Sequence, residues 1–423
     1  MKALDPETGR QALFALLSER SPLGAMSVLY ARLGRLFQIP LRSFHPFVVG
    51  GPEANRKLLV TEREKVRWRN NDPVTDLLRH GVLVTDGLEH ETYRGLMEPD
   101  LHPSVLPRYV ETMLAQTDRV TAAWKDGGTV DMLVESRKIA LLIIMETLFG
   151  VDVWETLPVI WTPVLKAIEF ISPGPWIFWR RLPRPGYKKH LATLDAWLYE
   201  IIRLRRGRTP RQDLLQHLID AGLEDGLIRD QMLTMLIAGH DTSTALLAWA
   251  FYLLGRDADT YHRLVHELDA TIGCAPPASP AGWQPPLLDA VIKESLRLYP
   301  PIHTGNRMVA EDISFEGCTI PAGERMFYSI YLTHRDPQIW QDADSFRPER
   351  FAGGRKTPPF AYVPFGGGPR ACIGGAFGQA EARLVIARLL QTWDFELLQP
   401  RVRAHMGATL EPRPGVLMRV RKR

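Results

Sequence analysis

Cysteine is scarce in this 423-residue chain: there are three, Cys274, Cys318 and Cys372, an odd number without framework spacing. That excludes a disulfide-stapled secreted fold and fits a protein of the reducing cytoplasm. Long apolar runs are missing as well. The longest, IALLIIM (139–145), ends at Glu146, and the N-terminal stretch offers six apolar residues at 12–17. Both fall short of the ~18 residues that a spanning helix needs, so no membrane anchor is expected. Nor does one sign of charge dominate: 52 basic and 48 acidic side chains leave +4, too small an excess to imply nucleic acid. The basic end, MRVRKR (418–423), reads as a solvated tail. Internal repeats and low-complexity linkers are lacking too.

What is present is an ordinary globular composition, 45% hydrophobic and 24% charged, in a chain long enough for a large core. Up to about residue 270 the pattern is helical. SVLPRYVETMLAQTDRVTAAW (104–124) has apolar residues at helical spacing with Ser104 as N-cap, and DMLVESRKIALLIIMETLFG (131–150) runs from an acidic start to a glycine stop. Residues 187–206 and 227–255 follow the same logic. Beyond about residue 300, ISFEGCTIPAGERMFYSIYLT (313–333) alternates in short segments broken by Gly and Pro, which predicts small sheets. Residues 334–364 predict a long ordered meander, and one more helix is expected over about 374–393. The fold class is mainly α with minor β.

One loop, FGGGPRACIGGAFG (365–378), sets a lone cysteine among six glycines before a helix. It admits two readings. FAYVPF (360–365) as a strand, Gly366-x-Gly368-x-x-Ala371, a helix, and Glu396 about twenty residues on make a loose dinucleotide fingerprint. Against it, too little chain follows Gly374 for the rest of a doubly wound sheet. On the other reading, Cys372 at a helix start meets free N–H groups and the positive end of the dipole, which stabilise a thiolate. The small residues let a flat cofactor approach the backbone, and Arg370 offers its acidic groups a partner. A tight turn with an incidental cysteine is the plainer alternative.

Two further patterns bear on the choice. In AGHDT (238–242), inside a helical stretch, Gly239 and Thr242 are poor helix formers. A Thr hydroxyl bonding one turn back opens a local groove, with Asp241 beside it as an acid. His240 points about 200° away from Thr242 and reads as a hydrogen-bonded residue, not a ligand. In LLDAVIKESLRLYPP (287–301), Glu294 and Arg297 share a helix face near its end, where a buried pair would hold a third charge and pin the meander.

Together these residues resemble the cytochrome P-450 family of haem-thiolate monooxygenases. Its cysteine signature, Phe-x-x-Gly-x-Arg-x-Cys-x-Gly, is met by Phe365, Gly368, Arg370, Cys372 and Gly374. The resemblance implies that Cys372 is the axial ligand of a haem b iron, and that Asp241 and Thr242 are the acid–alcohol pair that activates dioxygen. Glu294 and Arg297 match the Glu-x-x-Arg helix, and FRPERF (346–351) the motif whose Arg350 completes that ion-pair cluster. His90 and Arg94 in LEHETYR match the pattern that grips haem propionates, and Arg307 in GNRMVAED falls where another propionate arginine stands.

The fold so implied is a single haem domain over 1–423, a helical domain plus a small sheet-rich region around a buried haem, with no fused reductase. Electrons, originating in NAD(P)H, are then expected from a ferredoxin- or flavodoxin-type partner docking on a basic face near the cysteine loop. The expected reaction inserts one oxygen atom into a lipophilic small molecule such as a terpenoid or fatty acid. By analogy its pocket takes in Leu83, Val84, Ala238, Pro301, Ile302 and His303, where His303 either bonds a substrate oxygen or points outward. The aromatic and basic stretch 170–186 reads as an entry lid or a membrane-surface contact. Peroxide-driven oxygenation on the same fold and a non-catalytic haem sensor or carrier are the alternatives, and localisation is expected in the cytoplasm.

Overall fold

The computed structural model describes residues 3–39, 41, 44–68, 72–174, 182–207, 209–277, 283–352 and 357–423. Helix Asp225–Arg256, 32 residues long, is the axis of the molecule. Helices Met132–Phe149, Pro185–Arg206, Pro286–Leu298 and Gly375–Thr392 pack around it. From Ile228 to Leu254 every residue of the axial helix is buried except Ala238, Gly239 and Thr242. A helix apolar on all sides is a core helix, and this one is interrupted by a single accessible window.

Local sequence explains most boundaries. Met132–Phe149 begins where the Asp131 carboxylate accepts the Leu133 N–H and ends where Gly150 turns left-handed at φ 59°. The stretch expected as one helix from Ser104 does not behave so. Residues Pro103–Tyr109 form a 3-10 segment capped by His102, and the α-helix runs only over Val110–Thr121. Pro107 disfavours α geometry at Leu106 before it and leaves Ser104 without the N3 N–H it would cap.

A five-stranded sheet flanks the helices in the order Leu36–Gln38, Phe47–Val49, Arg325–Ser329, Thr304–Val309, Val66–Arg67. Only Phe47–Val49 and Arg325–Ser329 pair in parallel. In Thr304–Val309 the period-two alternation turns Gly305, Arg307 and Val309 inward. A hairpin of Arg403–Met406 and Leu410–Arg413 lies on the axial helix, where Trp249 Nε1 donates to the Leu410 carbonyl at 2.7 Å.

The basic C-terminal run is no solvated tail. Leu417–Lys422 is the middle strand of a three-stranded sheet, antiparallel to Thr129–Asp131 on one side and Trp393–Leu397 on the other. Met418 and Val420 are buried, while Arg419 faces out and pairs with Glu396 at 3.1 Å. Nor is FAYVPF a strand: residues 360–365 are turns and bends. No helix among the described residues is long and apolar enough to cross a membrane. The core of the 170–186 stretch, residues 175–181, lies outside the described residues. At its edges Arg184 stacks 4.2 Å from the Phe170 ring centroid and donates to the Phe170 carbonyl.

Candidate active site

The cysteine loop is closed by its backbone. The Cys372 N–H donates to the Phe365 carbonyl at 2.8 Å, and the Ala371 N–H to that of Gly368 at 2.9 Å. Helix Gly375–Thr392 starts three residues beyond the cysteine, with Gly374 as its N-cap. The Cys372 side chain is exposed, yet burial among protein atoms pushes its thiol pKa up, opposed by the Gly374 amide and the Arg94 charge. Such a side chain faces a recess walled by protein, not bulk water.

Gly366 and Gly368 both have positive φ, 69° and 63°. They differ in surroundings: a Cβ on Gly368 would lie 2.2 Å from the Leu59 carbonyl oxygen, whereas on Gly366 its nearest neighbour is 3.8 Å away. Gly366→Ala is expected to cost about 1 kcal/mol for the left-handed conformation alone. Gly368→Ala should cost clearly more, because backbone must move. Urea midpoints of the two variants check this, and equal losses would count against the close approach.

Four basic side chains converge beside the loop. Arg94, from helix Gly87–Leu101, donates to the Ala371 carbonyl at 2.7 Å. Arg370 donates to Asp86 and to the Thr85 carbonyl. Burial first, then the charges of Arg370 and Arg94, push His90 down to about 4. Arg370 is likewise lowered by burial and by Arg307 and Arg94, against the pull of Asp86. Trp68, which no motif flags, stands between two of them, its ring centroid 4.0 Å from the Arg307 guanidinium and 5.4 Å from that of Arg370. Its buried indole N–H has no partner among the described residues. Asp86 is the carboxylate of this cluster, so the ensemble is rich in donors and suits anionic groups.

On the axial helix the Thr242 hydroxyl donates to the Ala238 carbonyl at 2.7 Å, the back-bond its sequence context predicts. Asp241, one residue earlier, turns to the C-terminal hairpin and accepts from the Thr409 hydroxyl at 2.7 Å, while its other oxygen has no partner among the described residues. Burial, then the Glu411 charge, push Asp241 up to about 7. His240 is buried, but neither ring nitrogen has a hydrogen-bond partner among the described residues, and burial, then Arg137, drive it down to about 3.

Helix Gly375–Thr392 and the axial helix are joined beside Thr242, where the Ser243 hydroxyl bonds Glu381. Burial pushes Glu381 up to about 8. The folded protein keeps that proton while the unfolded chain releases it above the ordinary 4.5, so stability falls as pH rises from 4.5 to about 8. Glu381→Gln should remove this decline and leave the variant relatively more stable at the alkaline end. Parallel urea titrations across that window check it; an unchanged slope would mean that Glu381 is already ionised.

The Glu294–Arg297 pair is fully buried, with Arg297 bidentate on Glu294 at 2.7 and 2.8 Å. Arg297 also donates to the carbonyls of His334, Ala343 and Ser345, so all five guanidinium N–H groups are used. Arg350 and the Arg347 amide both reach Glu294 Oε1. Helix end and meander are thus clasped together.

The loop Arg79–Val84 is strapped to the axial helix by Gln231, which accepts the Val82 N–H and donates to the His80 carbonyl. Leu83, Val84 and Ala238 are half-buried, Pro301 is buried and Ile302 exposed. His303 is buried rather than outward-facing; burial lowers it to about 4, and its Nδ1 has no partner among the described residues. Segment Lys57–Thr61 underlies the cysteine loop. The surface there is of mixed charge, since Lys57 pairs with Glu53 and Glu62, and Arg63 with Glu64.

A family model for cytochrome P-450 matches residues 11–418. The chain belongs to that family. Among curated cytochromes P-450 and related oxygenases, it is 31% identical to the pentalenene oxygenase of Streptomyces avermitilis over 88% of this chain and 87% of that protein. It is 29% identical to the cyclooctat-9-en-7-ol 5-monooxygenase of Streptomyces melanosporofaciens, over 92% and 87% of the two chains. Cyclooctatin synthase of the same organism is 28% identical over 95% and 90%. As a cytochrome P-450, the chain is an oxidoreductase of the monooxygenase class, in a family defined by haem-thiolate chemistry and dioxygen. The dinucleotide reading of the glycine loop is thereby set aside.

Proposed function

We propose that this cytochrome P-450 oxygenates a polycyclic terpenoid, with Cys372 as the thiolate that holds haem b. The observation that carries the cofactor reading is a recessed Cys372 just ahead of a helix that packs on the axial helix, whose Ala238–Gly239–Thr242 window breaks an otherwise buried stretch. The two helices are joined through Ser243 and Glu381. Gly374 has open space where a side chain would stand, and the His90, Arg94, Arg307 and Arg370 cluster matches two propionates in charge, with Trp68 as an added donor. The residues present fit the group.

Bound haem supplies the oxidising chemistry, and a thiolate ligand favours O–O cleavage. The rest falls to side chains. Thr242 presents a hydroxyl at the window, Asp241 holds a proton beside it, and Phe365 and Gly374 frame the cysteine. Leu83, Val84 and Ala238 give an apolar boundary that excludes water, with Pro301, Ile302 and His303 at the neighbouring turn. The chain acts as one haem domain over 1–423, taking electrons from a ferredoxin- or flavodoxin-type protein whose reductant is NAD(P)H.

The terpenoid assignment draws on the relatives whose names specify pentalenene and cyclooctat-9-en-7-ol. Its test is a panel of cyclic terpenes and straight-chain fatty acids. A low-to-high-spin Soret shift and product carrying one oxygen-18 atom from labelled dioxygen are expected for a cyclic terpene. Binding and turnover confined to fatty acids would overturn the assignment.

A further inference from the structure

Asp241 is the buried acid of the site, and its surroundings come from a distant part of the chain. One carboxyl oxygen is held by the Thr409 hydroxyl at 2.7 Å, and the other is buried without a partner among the described residues. Thr409 is fixed from both sides of Leu410: the Leu410 N–H donates to the Pro301 carbonyl at 2.9 Å, and its carbonyl accepts from Trp249 at 2.7 Å. Two residues on, inside strand Leu410–Arg413, Glu411 is buried, and its charge acts on Asp241. It is gripped by Arg137, and Arg413 reaches its Oε2 at 3.0 Å. The charged groups facing Asp241 are thus Glu411, Arg137 and Arg413, with His240 on its own helix. Both arginines are engaged by Glu411 and do not bond Asp241.

We propose that Thr409 and Glu411 are positioning residues of the oxygenation reaction: Thr409 anchors one oxygen of Asp241, and Glu411, by holding Arg137 and Arg413, keeps both cations from pairing with that carboxyl. Inserting one atom of dioxygen into a C–H bond and releasing the other as water consumes two electrons, from the redox partner, and two protons. Asp241 hands a proton toward Thr242 and is refilled from solvent after each transfer. A carboxylate locked in an ion pair would be a poor donor. Burial first, and then the charge of a second, already paired carboxylate, bring the titration of Asp241 to about 7, where it can both give and regain a proton. The inference rests on the reading of Asp241 and Thr242 as the oxygen-activating pair.

The two residues act in opposite senses, which separates this role from simple hairpin anchoring. Thr409 donates to the charged carboxylate, so Thr409→Val should move the Asp241 titration to higher pH. Glu411→Gln removes a repelling charge and should move it lower, each by about one pH unit. The readouts are the infrared carboxyl signal that Asp241→Asn abolishes and the pH profile of product formed per dioxygen consumed. Both are taken on holoprotein with an intact carbon monoxide spectrum, and Thr409→Ser should restore the wild-type position. If Glu411→Gln does not fold, the Thr409→Val and Thr409→Ser pair decides alone. Opposite shifts support the inference. Unchanged titration in both variants, with coupling still lost in Asp241→Asn, overturns it and spares the underlying reading. Full coupling in Asp241→Asn overturns both.

Discussion

Cys372→His should yield a folded protein whose reduced carbon monoxide complex has lost the strongly red-shifted Soret band and whose oxygenation has fallen to background. The loop survives the change because its closure is backbone: the Cys372 N–H to Phe365 and Ala371 N–H to Gly368 bonds involve no side chain. The cysteine faces a recess, so the larger imidazole meets space before it meets protein. What disappears is thiolate donation to the iron, on which the spectral shift and O–O cleavage depend. Far-ultraviolet circular dichroism separates loss of ligand from loss of fold. A wild-type protein without the red-shifted band, or a variant that keeps it, would refute the assignment of Cys372.

Glu294→Ala is expected to have the largest effect on stability, costing about 3–5 kcal/mol, a sizeable part of the ~5–15 kcal/mol that holds a typical domain folded. Arg297 has no exposed surface and would remain charged inside the protein. Its three carbonyl partners satisfy N–H groups but carry no full negative charge. Arg350 and the Arg347 amide would lose their acceptor at the same moment, loosening the meander. Arg297→Lys should also be severe, because one ammonium cannot supply five donors in a planar fork. The measurement is the urea midpoint together with the fraction recovered as holoprotein. A loss below about 1 kcal/mol, the range of exposed pairs, would show that the clasp is solvated.

How far the sequence alone reached depended on the range of the interactions. Helix Met132–Phe149 was legible because both stop signals, Asp131 and Gly150, are local. Ser104 misled because it has cap chemistry, while the prolines at 103 and 107 decide the backbone. The C-terminal run misled for another reason: counted as charge it looks solvated, and its alternation of Met418 and Val420 with arginines was the overlooked strand signal. At the site, motif residues could be read, but their partners could not. Thr409 lies 168 positions from Asp241 and Asp86 lies 284 from Arg370. Trp68 carries no motif at all. His240 and His303 show the same limit, since burial without a partner is a property of packing and leaves no local trace.

The three-stranded sheet also constrains the order of events during synthesis. Thr129–Asp131 pairs with Leu417–Arg419 and, among the described residues, with no other strand, so its edge stays open until a segment far later in the chain has left the ribosome. Asp131 gains its bond to the Val416 amide only then, at 2.9 Å. Pairing between such remote segments is slow to close, and edges left waiting are exposed to association with other chains. Loss of strand Leu417–Lys422 would therefore be felt first as poor yield of folded protein, at a place far from the chemistry.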